Sequence, residues 1–180
     1  NIVAAIRRLR PDTVIGLCPR HAERLTSWAR HLDRGRTPWY LRSKVAGPVA
    51  PGTVILWDTY GELVSAYRLC RAACVGGSLE PIGGHNPLEP AALSKPVLFG
   101  PHMFNFADIS RQLLEAGAAI KVADGKELEA QITNLFQDPV LRDDMGRAAH
   151  QLFKEGQGAT ARTLQLIDEI LNALREGRRS

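Results

Sequence analysis

The segment from Ala72 to Phe99, AACVGGSLEPIGGHNPLEPAALSKPVLF, limits what this chain can become more than any other. It opens on a short apolar run, Ala72 to Val75, that reads as a buried strand leading into two Gly-Gly pairs, Gly76-Gly77 and Gly83-Gly84. Asn86-Pro87-Leu88-Glu89 then has the marks of a helix start. Asn86 suits the N-cap, Pro87 the first helical position, and Glu89 the place of a capping-box acid. Ala91, Ala92 and Leu93 continue the helix, Ser94-Lys95-Pro96 stops it, and Val97-Leu98-Phe99 begins another strand. Two strands joined through a helix belong to a mostly parallel sheet. A helix N-terminus offers unpaired N–H groups, and glycines just before it let an anion reach the backbone, so the segment is a candidate phosphate site. The plainer alternative is that the glycines only make turns and Glu89 only caps its own helix.

The rest of the chain repeats the alternation. Ile2, Ala5, Ile6 and Leu9 keep helical spacing from the first residues, so Asn1 reads as a boundary inside a longer protein. Thr13 to Cys18 is a continuous apolar run suited to a buried parallel strand, with Pro19-Arg20-His21 at its carboxyl end and a polar helix to about Leu32. Thr37–Leu41 and Val54–Trp57 read as strands. After the second, Asp58 or Thr59 can start a helix that turns Leu63, Val64, Tyr67 and Leu69 inward. Asn105 is a candidate cap for a helix carrying Phe106, Ile109, Leu113 and Leu114, and Ala118–Val122 is a last strand. Asp124 with Glu127 makes a capping-box pattern, Asp138-Pro139 opens another helix, and Gly156-Gln157-Gly158 breaks it. A final amphipathic helix carries Leu164, Ile167, Leu171 and Leu174 before a basic tail, Arg175 to Ser180. About six strands alternating with helices give a single α/β domain over residues 1–180, with a doubly wound, mostly parallel sheet.

Charge is distributed unevenly. Residues 1–44 carry a net charge of +7, the remainder −3, which suits an anionic ligand, an anionic membrane surface or nucleic acid without choosing among them. Three cysteines form neither a disulfide framework nor a metal-ligand pattern and favour a reducing compartment. No secretory signal or membrane-length apolar run stands in the sequence. In open α/β sheets ligands sit outside the carboxyl ends of strands, where Arg20 falls in position for a bidentate phosphate contact.

Residues Gly76 to Phe106, GGSLEPIGGHNPLEPAALSKPVLFGPHMFNF, closely resemble the signature of the Kdo transferases, the 3-deoxy-D-manno-octulosonate transferases of lipopolysaccharide assembly. Pro19-Arg20-His21 with Glu23-Arg24, and Asp58-Thr59 with Gly61-Glu62-Leu63, resemble two further motifs of that family in the same order. The resemblance covers essentially all of this chain but only the C-terminal half of the family's length. It implies a Rossmann-like half of a glycosyltransferase B fold that binds CMP-Kdo and works by inverting transfer to a lipid A precursor. Pro19 and Arg20 would contact CMP. Gly61, Glu62 and Leu63 would lie against the nucleotide, offering backbone groups near the cytosine. Asn86, Pro87, Leu88 and Glu89 would complete the site, with the Glu89 carboxylate accepting from the ribose hydroxyls. His21, His85 and His102 stay open between ligand contact and local structure.

The same resemblance implies no cofactor and no metal, because Arg20 and helix N-termini would stabilise the leaving phosphate. The family's general base lies in an N-terminal acceptor domain absent from this chain, so the chain alone would bind donor and catalyse nothing. The acceptor and the membrane would be met through that missing half, at the cytoplasmic face of the bacterial inner membrane. Two alternatives are a sugar-nucleotide epimerase half-domain and a non-catalytic nucleotide- or nucleic-acid-binding module. The Asn86–Glu89 and Gly100–Phe106 segments argue against the first. Few aromatics interleave the basic stretch and no nucleic-acid motif is present, which argues against the second. A dinucleotide oxidoreductase fares worse, since no GxGxxG follows the first strand.

Overall fold

The computed structural model describes residues 2–176. Helix α1 (Ile2–Leu9) leads into strand β1 (Ile15–Leu17), helix α2 (Arg24–Arg34) and strand β2 (Trp39–Leu41). A 3-10 turn over Arg42–Lys44 and a Gly- and Pro-rich loop precede β3 (Val54–Leu56) and α3 (Leu63–Leu69). The glycine segment runs from β4 (Ala73–Cys74) through α4 (Leu88–Ala92) to β5 (Val97–Phe99). A second 3-10 turn, Phe104–Phe106, enters α5 (Ala107–Glu115), followed by β6 (Ala119–Lys121) and helices α6 (Gly125–Gln137), α7 (Pro139–Gly156) and α8 (Ala159–Glu176).

Every strand pair is parallel. The six strands bond as two sets of three, ordered β1-β3-β2 and β4-β5-β6, rather than along one continuous ladder. The centre strand of each set is the buried one. Val54 and Leu56 fill one core with Leu32 and Trp28, Val97 and Phe99 pack with Leu113 in a second, and Leu98 packs with Leu135 and Met145 in a third. Burying each such side chain stabilises by about 1.5–3 kcal/mol. The two halves are held together by α1 packing on α6. The guanidiniums of Arg10 and Arg71 add to this, lying 5.1 and 5.7 Å from the Phe136 ring centre.

Several expectations shift locally. β1 is half exposed rather than buried, because it has a partner on one side only. Neither Asp58 nor Thr59 caps α3, which begins after Glu62. Asp58 accepts instead from Ser43 N and Oγ (2.9 and 2.5 Å). In α3, Leu63 and Tyr67 are partly buried, whereas Val64 and Leu69 are 47 % and 86 % exposed. Asn105 sits inside the second 3-10 turn, one residue too early to cap α5, and reaches back toward the Ile82 carbonyl. Asp124 does cap α6, accepting from the N–H groups of Lys126 and Glu127, while Glu127 accepts from Ala123 N at 2.6 Å. Leu164, Ile167 and Leu171 of α8 are exposed; the side chain of Leu174 and the tail from Gly177 lie outside the described residues.

Candidate functional site

Within each set of three the strands run parallel, so their carboxyl ends share one side of that set, and the sequence-predicted residues follow three of the six strands. Pro19, Arg20 and His21 follow β1; Gly61, Glu62 and Leu63 follow β3; the glycine segment follows β4. Helix α3 packs against α4, which carries Glu89. Burial pushes the Tyr67 hydroxyl of α3 well above its ordinary pKa, and the charge of Glu89 and the thiols of Cys18, Cys70 and Cys74 add to the shift. Burial also raises the Cys18 thiol, and Glu89 adds to that.

The glycine segment is stitched tightly. Gly84 N donates to Gly77 O at 2.9 Å and His85 N to Gly76 O at 3.1 Å. Ser78 Oγ donates to Val75 O at 2.6 Å and accepts from Gly100 N at 2.8 Å, and His102 N donates to Ser78 O at 2.9 Å. Here Gly100 is required by close approach: a Cβ would stand 2.7 Å from Leu79 Cα and nearer still to the Ser78 carbonyl. The imidazole of His85 lies over Gly76, 3.2 Å from where a Cβ would sit.

At the start of α4, Asn86 takes a different cap role from the one its sequence suggests. Its Oδ1 accepts from Leu88 N at 3.0 Å, Pro87 occupies the N-cap position, and Asn86 Nδ2 donates to Glu89 Oε1 at 3.4 Å. No reciprocal bond from Asn86 N to Glu89 closes a capping box. With five residues, α4 supplies little macrodipole, so any anion here depends on side-chain charge and exposed backbone more than on a helix field. At the far end of α4, His150 Nδ1 of α7 donates to Ala92 O at 2.9 Å, holding the helix that carries Glu89 in place.

Opposite this frame stands a cluster of bases. Arg20 and Arg24 are exposed and have no hydrogen bond or ion pair with a side chain among the described residues; His21 lies 3.9 Å from Glu23. His85 is held below the ordinary histidine range, first by burial and then by repulsion from Arg20, His21 and Arg24. The charges of the loop after β1 thus act on the glycine segment at His85. Leu63, Leu88 and Glu89 are partly exposed, while Pro87 is buried as packing. Glu62 is engaged: Arg42 Nε and Thr59 Oγ1 both lie 3.0 Å from its Oε2. Arg42 and Ser43 were not singled out by motif. The positions of Arg42 and Ser43 just after β2 are the signal that could have found them. Two surface hollows, one between α1 and α6 and one between α1 and α2, contain none of these residues. Among the described residues no three His, Cys, Asp or Glu side chains converge as metal ligands.

The structure is similar to the crystal structure of the C-terminal CMP-Kdo binding domain of WaaA from Acinetobacter baumannii. The TM-score is 0.71 at 25 % identity, over 83 % of this chain and 94 % of that one. The fold and the loops gathered at its strand ends define a Rossmann-like α/β half of a glycosyltransferase B protein. In sequence the chain is 37 % identical over 162 residues to the 3-deoxy-D-manno-octulosonic acid transferase of Haemophilus influenzae, and 36 % over 168 residues to that of Bordetella pertussis. These matches cover 89 % and 93 % of this chain and 38 % and 39 % of the relatives. The chain belongs to the Kdo transferase family, and it spans about two fifths of the length of the curated relatives it matches. No model of a protein family matches it.

Proposed function

We propose that this chain is the donor-binding domain of a Kdo transferase and holds CMP-Kdo at the carboxyl ends of β1, β3 and β4. The observation that carries the reading is the exposed Arg20 on the loop after β1, which has no hydrogen bond or ion pair with a side chain among the described residues and whose charge acts on His85 of the glycine segment. The neighbouring domain from Acinetobacter baumannii is a CMP-Kdo binding domain, which supports the same ligand here. Pro19 and Arg20 take the phosphate, the Gly61–Leu63 turn meets the base, and Asn86 to Glu89 meet the ribose, whose hydroxyls donate to Glu89. In transfer, the phosphate departs as an anion, and the Arg20 guanidinium stabilises the charge it gains with no help from a metal.

The acceptor, a lipid A precursor, and the general base belong to the part of the protein outside this chain. The chain by itself then binds CMP without transferring Kdo. The whole enzyme works at the cytoplasmic face of the inner membrane; no helix among the described residues is long and apolar enough to cross one. Calorimetric titration of CMP against UDP tests the reading. Binding of CMP in clear preference to UDP is the expected result, and preference for UDP overturns it in favour of an epimerase-like half. Kdo transfer by the purified chain alone would place the base within these residues.

A further inference from the structure

The turn after β3 is bracketed by two consecutive residues. Ser43 donates from N and Oγ to Asp58 at the start of the turn, at 2.9 and 2.5 Å. Although burial opposes it, those bonds hold the Asp58 carboxyl below its ordinary range. Arg42 Nε meets Glu62 Oε2 at the other end of the turn at 3.0 Å, and Thr59 Oγ1 donates to the same oxygen at 3.0 Å. The Arg42 guanidinium also lies 5.9 Å from the Trp57 ring centre and donates from Nη1 to Val45 O at 3.4 Å. Between the two anchors Gly61 adopts φ +79°, with open space where a Cβ would stand. Nothing packs on that side of Gly61, so its left-handed backbone is held by the anchors at either end and leaves a bare peptide face.

We infer that Glu62 acts on the nucleotide through Arg42: the Arg42–Glu62 pair, with Ser43–Asp58, is a clip that sets the shape of the base-reading Gly61 turn. This rests on the proposed function, in which the turn meets the base. Glu62 is therefore a positioning residue, its carboxylate spent on Arg42 and Thr59 instead of on the ligand. At 34 % and 40 % side-chain exposure the pair adds little to stability. Its loss then shows in how the turn reads a base more than in whether the domain folds.

The test compares CMP, UMP and ribose 5-phosphate by calorimetry on wild type, Arg42→Gln, Glu62→Gln and the charge swap Arg42→Glu/Glu62→Arg, with melting temperatures alongside. Both single variants are expected to lose about tenfold in CMP affinity and most of the CMP-over-UMP preference, which corresponds to about 1.4 kcal/mol. Ribose 5-phosphate should bind within twofold of wild type, and the swap should restore part of the base preference. Equal losses for all three ligands, or an unchanged CMP-to-UMP ratio, overturn the clip while leaving the proposed function standing. A wild-type chain that prefers UMP, or binds no CMP, overturns the function itself and the clip with it.

Discussion

The two walls of the candidate site are built in opposite ways. The glycine segment is closed by backbone bonds, Gly84 to Gly77, His85 to Gly76 and Asn105 to Gly83, and anchored by the buried Ser78. The Pro19–Arg24 wall is exposed, and Arg20 has no partner among the described residues. One wall is shaped by its own hydrogen bonds; the other keeps its charges for something else. An unpaired guanidinium costs nothing on the surface, whereas an unpaired N–H in a buried loop costs heavily, so only the first wall has to be satisfied before a ligand arrives. The contrast implies that substitutions in the glycine wall cost stability and substitutions in the basic wall cost affinity.

The strongest way to break the contrast is Gly100→Ala. The added Cβ meets the Ser78 carbonyl and Leu79 Cα, both backbone, so neither can swing aside. We expect a loss of about 3 kcal/mol and a fall in melting temperature of about 6–12 °C. A melting temperature within about 2 °C of wild type would show that the glycine wall yields. From the other wall, Arg20→Ala should leave the melting temperature within about 1 °C and weaken CMP binding about ten- to hundredfold, the cost of a charged hydrogen bond to phosphate. Unchanged CMP affinity would make Arg20 an ordinary surface residue.

The same division explains what could be read from the sequence. Strands β3 and β5 were legible because three consecutive apolar residues have no polar face to offer solvent. Caps with a local acceptor were legible too, as at Asp124 and Asp138. Elements whose cues compete with tertiary bonds were not. Asp58 reads as a cap but is taken by Ser43, fifteen residues back, and Asn86 spends its side chain on Leu88 N and Glu89. The motif residues following β1, β3 and β4 were found by resemblance. Arg42 and Ser43 were missed because a polar pair in a loop gives no periodic signal, and their meaning lies in contacts fifteen to twenty residues away.

Glu89 sharpens the comparison, since it belongs to the stitched wall yet has one weak partner, Asn86 Nδ2 at 3.4 Å. Glu89→Gln keeps an oxygen for Asn86 and loses the charge. The expected result is a melting temperature close to wild type and about tenfold weaker CMP binding, near 1.4 kcal/mol. With 2′,3′-dideoxy-CMP the two proteins should bind equally. An equal loss for CMP and the analogue would remove Glu89 from the ribose.

The smallest expected effect lies where the walls meet, at His85. Its imidazole packs on Gly76 and is kept below the usual histidine range, by burial first and then by Arg20, His21 and Arg24. In the unfolded chain His85 titrates at its ordinary value, so from there downward the unfolded state binds more protons than the folded one. Stability is therefore undiminished above that value, falls as the pH drops through it, and loses the full contribution once the pH is below the folded pKa. Urea unfolding at pH 7.5 and 5.5 should show a smaller acid loss in His85→Gln than in wild type. A bound phosphate offsets the positive field, so saturating CMP should move the His85 pKa upward in an NMR titration. In Arg20→Ala the free-state value should itself rise, because one source of repulsion is gone. A His85 pKa that responds to neither CMP nor the loss of Arg20 would mean that the basic loop does not face the glycine wall, and the two walls would not form one site.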